Sequence, residues 1–567
     1  MRKILLTTAI VIVAMAGCKK DPAPVPAPVT LSSITVTTQP TKKTYMVGEA
    51  FDVAGIVVTA TYSDQSTIPI TISEAMLSYD FSTTGTNKTV TITYEGKTAT
   101  VTGITVSQID PNFIGAGTSD KPFEIETPEQ LAKLAQLVNV GNANYRDKYY
   151  KLTVDIDLSY YGEEWNDSKG WIPIGKREEY SSYDFYGHFD GNNHKVSGLY
   201  INDSNLDYVG LFGFISGGGT VKNLGVDGDV TGNNSVGGVA GLVGGYGEIT
   251  NCYSTVTVSG KGMHIGGVVG YVDVNMTNCY ATGAVSGDNR VGGVVGIVGY
   301  SGSVTNCHAT GAVGGDNNVG GVAGGVYWGG SIVNCYATGA VSGDRSIGGV
   351  VGFVSADDSD NGTVTNCYFT GAVSGNDDVG GIAGSVFGIV TNCYSSGTIS
   401  GNYGVGGAVG RLSGSIRNCY VTGTVSGSGA VGGMVGVVVN SYNGSGIVVK
   451  SGSVNNCAAL NSSIERTSDI YTSFGRIANS IIGSGNVALE NMQSLGGAPI
   501  NTDIGTNGKD GEDITVVQAK QQATYTDMGW KFGNSDTSPW KMNVGGYSLP
   551  VFYWQIEAPA AMPAHLQ

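Results

Sequence analysis

Between Val209 and Val435 the apolar positions recur at a fixed spacing. The clearest copies read Val-Thr-Asn-Cys-x-Ala-Thr-Gly-Ala-Val, then a short polar loop, then Val-Gly-Gly-Val-Val-Gly. The cysteine of this phrase falls at Cys252, Cys279, Cys307, Cys335, Cys367, Cys393, Cys419 and Cys457, with gaps of 27, 28, 28, 32, 26, 26 and 38 residues, and Leu224 continues the series backward. Val, Ile, Thr and Tyr in short runs suit half-buried strands. Glycine interrupts them too often for helices. A unit this short cannot bury its own apolar face, so the period predicts stacked coils. About 27 residues gives two or three short strands with corners, one turn of a parallel β-helix; a propeller blade needs roughly 40. Nine to ten coils stacked ~4.8 Å apart make a rod of roughly 45 Å.

Stacking turns sequence positions into columns. Val236, Ile265, Val291, Val319, Ile347, Val379, Val405 and Val431 form an inward aliphatic column. The Gly-Gly after each lets the backbone turn sharply or pack closely. The cysteines also point inward, as small apolar fillers. Strict alternation through Val304, Thr305 and Asn306 would put Cys307 outside, so this assignment requires a bend at Asn, from Asn251 through Asn418, where stacked copies can hydrogen-bond. The next column then faces out: Tyr253, Tyr280, His308, Tyr336, Tyr368, Tyr394 and Tyr420. Its tyrosines are the candidate binding surface, an aromatic platform for a sugar or a protein. The alternative is cross-coil stacking that only stiffens the rod. Asn233, Asp288, Asp316, Asp344, Asn376 and Asn402 precede the Val-Gly-Gly and suit left-handed corners or a weak calcium or glycan edge.

An open stack needs caps. Thr127-Pro128-Glu129-Gln130 opens a short helix with a capping box, followed by Leu131, Leu134, Leu137 and Val138 on one face. Leu152, Val154, Ile156 and Leu158 alternate with polar residues as an amphipathic strand. Thr515 and Gln518 start a second short helix, and Trp530, Phe532, Trp540, Phe552 and Trp554 are expected to close the last coil. Residues 110–208 form the N-terminal cap and first coils, 209–480 the repeat β-helix, 481–557 the C-terminal cap and 558–567 a tail. At the other end Arg2 and Lys3 precede an apolar run from Ile4 to Met15, then Ala16-Gly17-Cys18. The run is shorter than the ~20 residues a membrane span needs, so residues 1–17 are expected to be a signal peptide. Pro22, Pro24, Pro26 and Pro28 make residues 18–30 an extended linker.

Residues 31–107 form a separate unit with strand-like runs at 34–36, 56–62, 89–94 and 98–106, which points to a β-sandwich. Tyr45-x-x-Gly48-Glu49-x-Phe51-Asp52, Ala60-x-Tyr62-x-Asp64 and Val90-x-Ile92-x-Tyr94 resemble the bacterial Ig-like domains of group 3, which mostly act as spacers. Asn278–Gly283 with Val291–Gly296 resembles the GLUG repeat of bacterial surface proteins, and the similarity spans residues 110–555. Ala16-Gly17-Cys18 resembles a bacterial lipobox, which implies acylation of Cys18 and a membrane partner through that lipid. Lipoproteins with Ig-like and GLUG units are common in gut Bacteroidota-type bacteria, which implies an outer-membrane, lipid-anchored, surface-exposed location, with an inner-facing periplasmic site as the alternative. GLUG repeats also occur beside metallopeptidases that cleave immunoglobulin A and carry His-Glu-x-x-His. None of the five histidines here precedes a Glu, so that activity is not carried over.

The net charge of −16 argues against nucleic acid as a partner. Eight cysteines besides Cys18, one per coil, read as free buried thiols, since Leu224 replaces one without loss of pattern. No spacing fits zinc. Asp357–Gly362 resembles the start of an EF-hand loop, but Tyr368 stands where the closing Glu belongs, so calcium is a weak expectation and no other cofactor is expected. A polysaccharide-active enzyme would need converging carboxylates, for which Asp155, Asp157 and Asp190 are the N-terminal candidates. The expected fold is all-β: an Ig-like sandwich, then a right-handed parallel β-helix of nine to ten coils with short capping helices. The expected function is adhesion or binding of a host or bacterial surface protein or glycan rather than catalysis, with a structural role in a surface assembly as the alternative.

Overall fold

The computed structural model describes residues 28–567 except 47–49, 108–112, 179–180, 357–359, 443–447, 469–473, 481–482, 496–501, 543, 545 and 556–561. The expected signal peptide, Cys18 and most of the proline-rich linker lie outside the described residues, as do three residues of the EF-hand-like stretch. The chain divides into two units, residues 1–110 and 111–567.

The first unit is a two-sheet sandwich. Leu31–Thr38, Val57–Tyr62 and Thr67–Ile70 form one sheet; Thr44–Met46, Leu77–Ser78, Gly85–Tyr94 and Lys97–Ser107 form the other. Alternate residues from both meet in a core that includes Ile34, Val58, Val90, Ile92 and Val101. Tyr45 and Phe51 of the Ig-like signature are buried there, their ring centroids 5.7 Å apart.

The second unit is a parallel β-solenoid with three walls. The first wall stacks nine strands from Phe212–Ile215 to Val435–Val438, and the second stacks twelve from Phe123–Ile125 to Ser453–Asn455. The third, of 28 short strands, runs from Ile156–Asp157 to Glu512–Ile514. Within these walls each strand pairs in parallel with its counterpart one coil away. Val236, Ile265, Val291, Val319, Ile347, Val379, Val405 and Val431 stack rung on rung, and all are buried. The coils number about 13, against the nine to ten expected, and at ~4.8 Å per coil that makes a rod of about 60 Å. The difference lies at the ends: Tyr149–Leu152 and His188–Asp190 wind in register with the repeat phrase without repeating it, and so does Val487–Leu489.

Glycine permits the close stacking. A Cβ on Gly293 would sit 2.1 Å from the Gly321 carbonyl oxygen of the next coil. The backbone there does not take a left-handed turn, so the Gly-Gly pair serves close approach. The N-terminal helix, Pro128–Asn139, carries the expected capping box between Thr127 and Gln130, and Leu131, Leu134 and Val138 enter the solenoid core. Of the expected amphipathic strand, Leu152, Ile156 and Leu158 are buried but Val154 is exposed, because the chain turns the corner from the second wall to the third there.

Candidate functional site

Each coil turns from its second wall to its third at the Asn before the cysteine. Asn251, Asn278, Asn306, Asn334, Asn366, Asn392, Asn418 and Asn456 all have φ between 52° and 55°. This is the left-handed region that Asn tolerates best among residues with a Cβ. Their amides form a ladder: Asn278 Nδ2 donates to Asn251 Oδ1 at 3.1 Å, Asn306 to Asn278 at 3.2 Å and Asn334 to Asn306 at 3.2 Å, and the series continues to Asn418. The bend swings each cysteine inward. All eight described cysteines are buried and free. The Cys279 N–H donates to Cys307 Sγ at 3.3 Å, and the Cys307 thiol donates back to the Thr305 carbonyl at 3.2 Å. Each of the eight cysteines is at most 1% exposed, so the column is core.

The aromatic column starts the third wall. Successive rings from Tyr253 to Tyr420 stack at 4.6–5.2 Å between centroids, tilted by 1–10°. That spacing is the coil rise, so cross-coil stacking is part of what the column does. Its two halves differ in exposure. Tyr253, Tyr280, His308 and Tyr336 are half-buried, whereas Tyr368, Tyr394 and Tyr420 are buried.

The cause is the C-terminal segment, which lies along the flank of the rod as well as at its end. Phe552 and Trp554 pack on Tyr368, Phe552 on Tyr394, and Trp530 and Trp540 on Tyr420. The Tyr394 hydroxyl donates to Gln555 Oε1 at 3.0 Å, and that of Tyr420 donates to the Pro550 carbonyl at 2.7 Å. Burial pushes both phenols well above the usual tyrosine range. Asp536 reaches the asparagine ladder, accepting from Asn334 Nδ2 at 2.9 Å. Tyr368, Tyr394 and Tyr420 are therefore covered by the chain's own C-terminal segment, and Trp554 also reaches Tyr336 at 6.4 Å between centroids.

The Asn/Asp column is not the left-handed corner. That role falls, in seven successive coils, to the residue directly before the Val-Gly-Gly or Ile-Gly-Gly: Ser235, His264, Arg290, Asn318, Ser346, Asp378 and Gly404, with φ between 54° and 68°. The Asx side chains link neighbouring coils, as where Asn402 Nδ2 donates to Asn376 Oδ1 at 2.7 Å. Asp155, Asp157 and Asp190 do not converge on shared partners. Asp155 accepts from the Lys195 N–H and from His194, Asp157 caps the turn at Ser159, and Asp190 receives Asn192 and Asn223. Among the described residues no group of three or more His, Cys, Asp or Glu could hold a metal ion.

A second aromatic set stands at the corner between the first and second walls. Tyr246, Tyr300 and Trp328 are exposed by 95%, 63% and 41%. All three have positive φ, at 70°, 46° and 49°, a costly conformation for a bulky residue. In sequence they read as glycine-flanked turns (Gly245-Tyr246-Gly247, Trp328-Gly329), and an aromatic inside such a turn was the signal available.

Known sequences confirm both kinds of unit. Residues 38–106 match the bacterial Ig-like domain (group 3), and residues 232–259, 261–286, 287–314, 343–374 and 401–426 match the GLUG motif. The chain thus carries a bacterial Ig-like domain followed by a β-solenoid that contains GLUG motifs between residues 232 and 426. Among individual proteins, halomucin of Haloquadratum walsbyi is 36% identical over 192 residues, 34% of this chain and 2% of halomucin. A protein of Evansella cellulosilytica, provisionally named a Gly-rich membrane protein, is 36% identical over 153 residues, 26% of this chain and 16% of its own. The aligned stretches span a small part of both relatives. A crystal structure from Bacteroides ovatus, provisionally named an immunoglobulin A1 protease, aligns over 78% of this chain and 94% of its own, at 18% identity and a TM-score of 0.26. That likeness is too loose to carry an argument.

Proposed function

We propose that this protein is a surface-displayed adhesion or interaction protein, held to the outer membrane by a lipid on Cys18 and spaced from it by the proline-rich linker and the Ig-like domain. The observation that carries the reading is the half-buried stretch of the ring stack that the C-terminal segment leaves uncovered, Tyr253–Tyr280–His308. One planar group is repeated there at the coil rise on a rigid wall, as multivalent contact with a surface protein or glycan requires. The kinship with a protein named for the membrane agrees with display at the cell surface.

Two measurements test it. In cells, Cys18→Ser should move the chain from the membrane fraction to the soluble fraction and abolish surface protease accessibility. Beads coated with the chain should bind host or bacterial surface preparations, and Tyr253→Ala with Tyr280→Ala should reduce that binding by at least about tenfold, the scale of one lost 1.4 kcal/mol contact. Binding that survives the double substitution would remove the column from the function.

A further inference from the structure

A cavity of about 450 Å³ opens where the first wall turns toward the second, lined by first-wall strands, the turns after them and the segment from Arg177 to Asp184. Its volume lies in the range of small-ligand sites. Asp184 and Asp273 both line it, together with Arg177, Phe214 and Tyr271. Asp184 is only 5% exposed and accepts from the hydroxyls of Ser182 and Ser216, the latter at 2.5 Å. Asp273 Oδ1 is buried with no donor among the described residues. Burial holds both carboxyls above their ordinary range. Arg177 lies over the Phe214 ring, 5.2 Å from its centroid.

Loop lengths shape what stands beside this cavity. The turn between the two walls has four residues at Gly244–Gly247, at Gly299–Gly302 and at Tyr327–Gly330, but only two at Asp273–Val274. The short turn leaves a notch one coil wide with Asp273 in it. Tyr246 projects from the loop on one side and Tyr300 from the loop on the other. Tyr300 stacks on Trp328 at 4.8 Å and 15°, so its other face looks along the rod toward the notch. The flanking loops are two coils apart, about 10 Å. A ring between them needs two contacts of ~3.5–4 Å, so one ring fits.

We propose that this notch binds a neutral glycan lying across the rod, one pyranose ring seated in it with its face against Tyr300 and its hydroxyls at Asp273. Asp273 Oδ1, which has no hydrogen-bond partner among the described residues, takes hydroxyl hydrogens, which sugars supply in adjacent pairs, and the C–H face of a sugar packs on an aromatic ring. A uronic or sulfated chain would meet the Asp273 carboxylate in the notch, whereas the Arg177 and Arg146 guanidiniums act on Asp184. Two carboxylates are also short of a metal set. The exposed aromatics in strained turns are an expense the fold itself does not require.

The site is separate from the tyrosine column and does not depend on how the chain is displayed. The test is calorimetry on the purified chain with a panel of gluco-, manno-, xylo- and galacto-oligosaccharides, and oligogalacturonate as the charged counterpart. At least one neutral oligosaccharide should bind. Asp273→Asn and Tyr300→Asn, which keeps a residue suited to positive φ, should each weaken it at least tenfold without moving the melting temperature. Val517→Ser, on an exposed C-terminal helix, should leave it unchanged. No binding by any neutral oligosaccharide, binding that survives both site substitutions, or tighter binding of oligogalacturonate would overturn the proposal, whatever the adhesion experiments give.

Discussion

At the residue scale, the left-handed corners carry the architecture. Asn306 holds φ 54°, donates one amide bond to the coil below and accepts one from the coil above. Asn306→Gly keeps the corner and loses the bonds; Asn306→Ala loses both. The alanine variant should be less stable than the glycine variant by about 1–2 kcal/mol, the penalty of a Cβ in that region, which urea unfolding of the two side by side would measure. This corner was legible because Asn recurs at one position and because alternation alone would have exposed Cys307. The corner before Val-Gly-Gly was not legible: Ser, His, Arg, Asn and Asp all occupy it, so no residue type marks the conformation, and the conspicuous Asx residues nearby drew the assignment instead.

One of those corners carries a titration. His264 is mostly buried, and Arg290 Nη1 lies 3.1 Å from its Nε2. Burial, with the Arg290 charge second, pushes the imidazole down to about 4. The folded value lies below the unfolded one near 6.5, so between the two the unfolded chain binds more protons and stability falls as pH drops. Acidification from pH 7 to 4 should remove about 3 kcal/mol through this group. Comparing denaturant midpoints at the two pH values, His264→Asn should flatten that part of the dependence while keeping a residue suited to the left-handed corner. An unchanged slope in the variant would show that other groups carry it.

At the element scale, the docked C-terminal segment matters most. Its partners lie far away in sequence: Tyr420 meets Pro550 across 130 residues and Asn334 meets Asp536 across 202. The sequence shows a run of aromatics but not where they go, and closing the last coil was the simplest place to put them. Trp540 is fully buried against Trp530, Phe552 and Tyr420. Trp540→Ala should cost roughly 3–5 kcal/mol and release the segment as a unit. Hydrogen exchange should then show lost protection around Tyr394 and Tyr420 with the coils at Tyr253 and Tyr280 unchanged. Uniform loss along the rod would mean that the segment supports the whole stack. The exposed aromatic turns were missed for a related reason: a Gly-rich loop with one Tyr has an adequate explanation as a turn, and only stacking shows that such loops flank a short one.

At the scale of the whole molecule, the solenoid was readable wherever the phrase repeats and hidden where it does not. Long inserts, as between Tyr149–Leu152 and His188–Asp190, broke the period without breaking the stack. Coils contact mainly their neighbours, so stability should be nearly local. Deleting residues 285–312 joins Ala284 to Val313, the partner of Val285 in the next coil. The product should fold, shortened by ~4.8 Å, as small-angle scattering can determine. Collapse of this variant would contradict nearest-neighbour stacking.

The docked segment also acts as a yardstick. It touches the rod at Asn334 near one end and at Leu460, through His565, near the other, and its aromatic groups meet Tyr336 through Tyr420 in order. A duplication or loss of one winding within that interval would put every later group out of step, whereas the same event ahead of Asn334 would leave that register intact. Descendants of this gene are therefore free to lengthen or shorten their reach only upstream of that mark, and size variants sampled from nature should differ there.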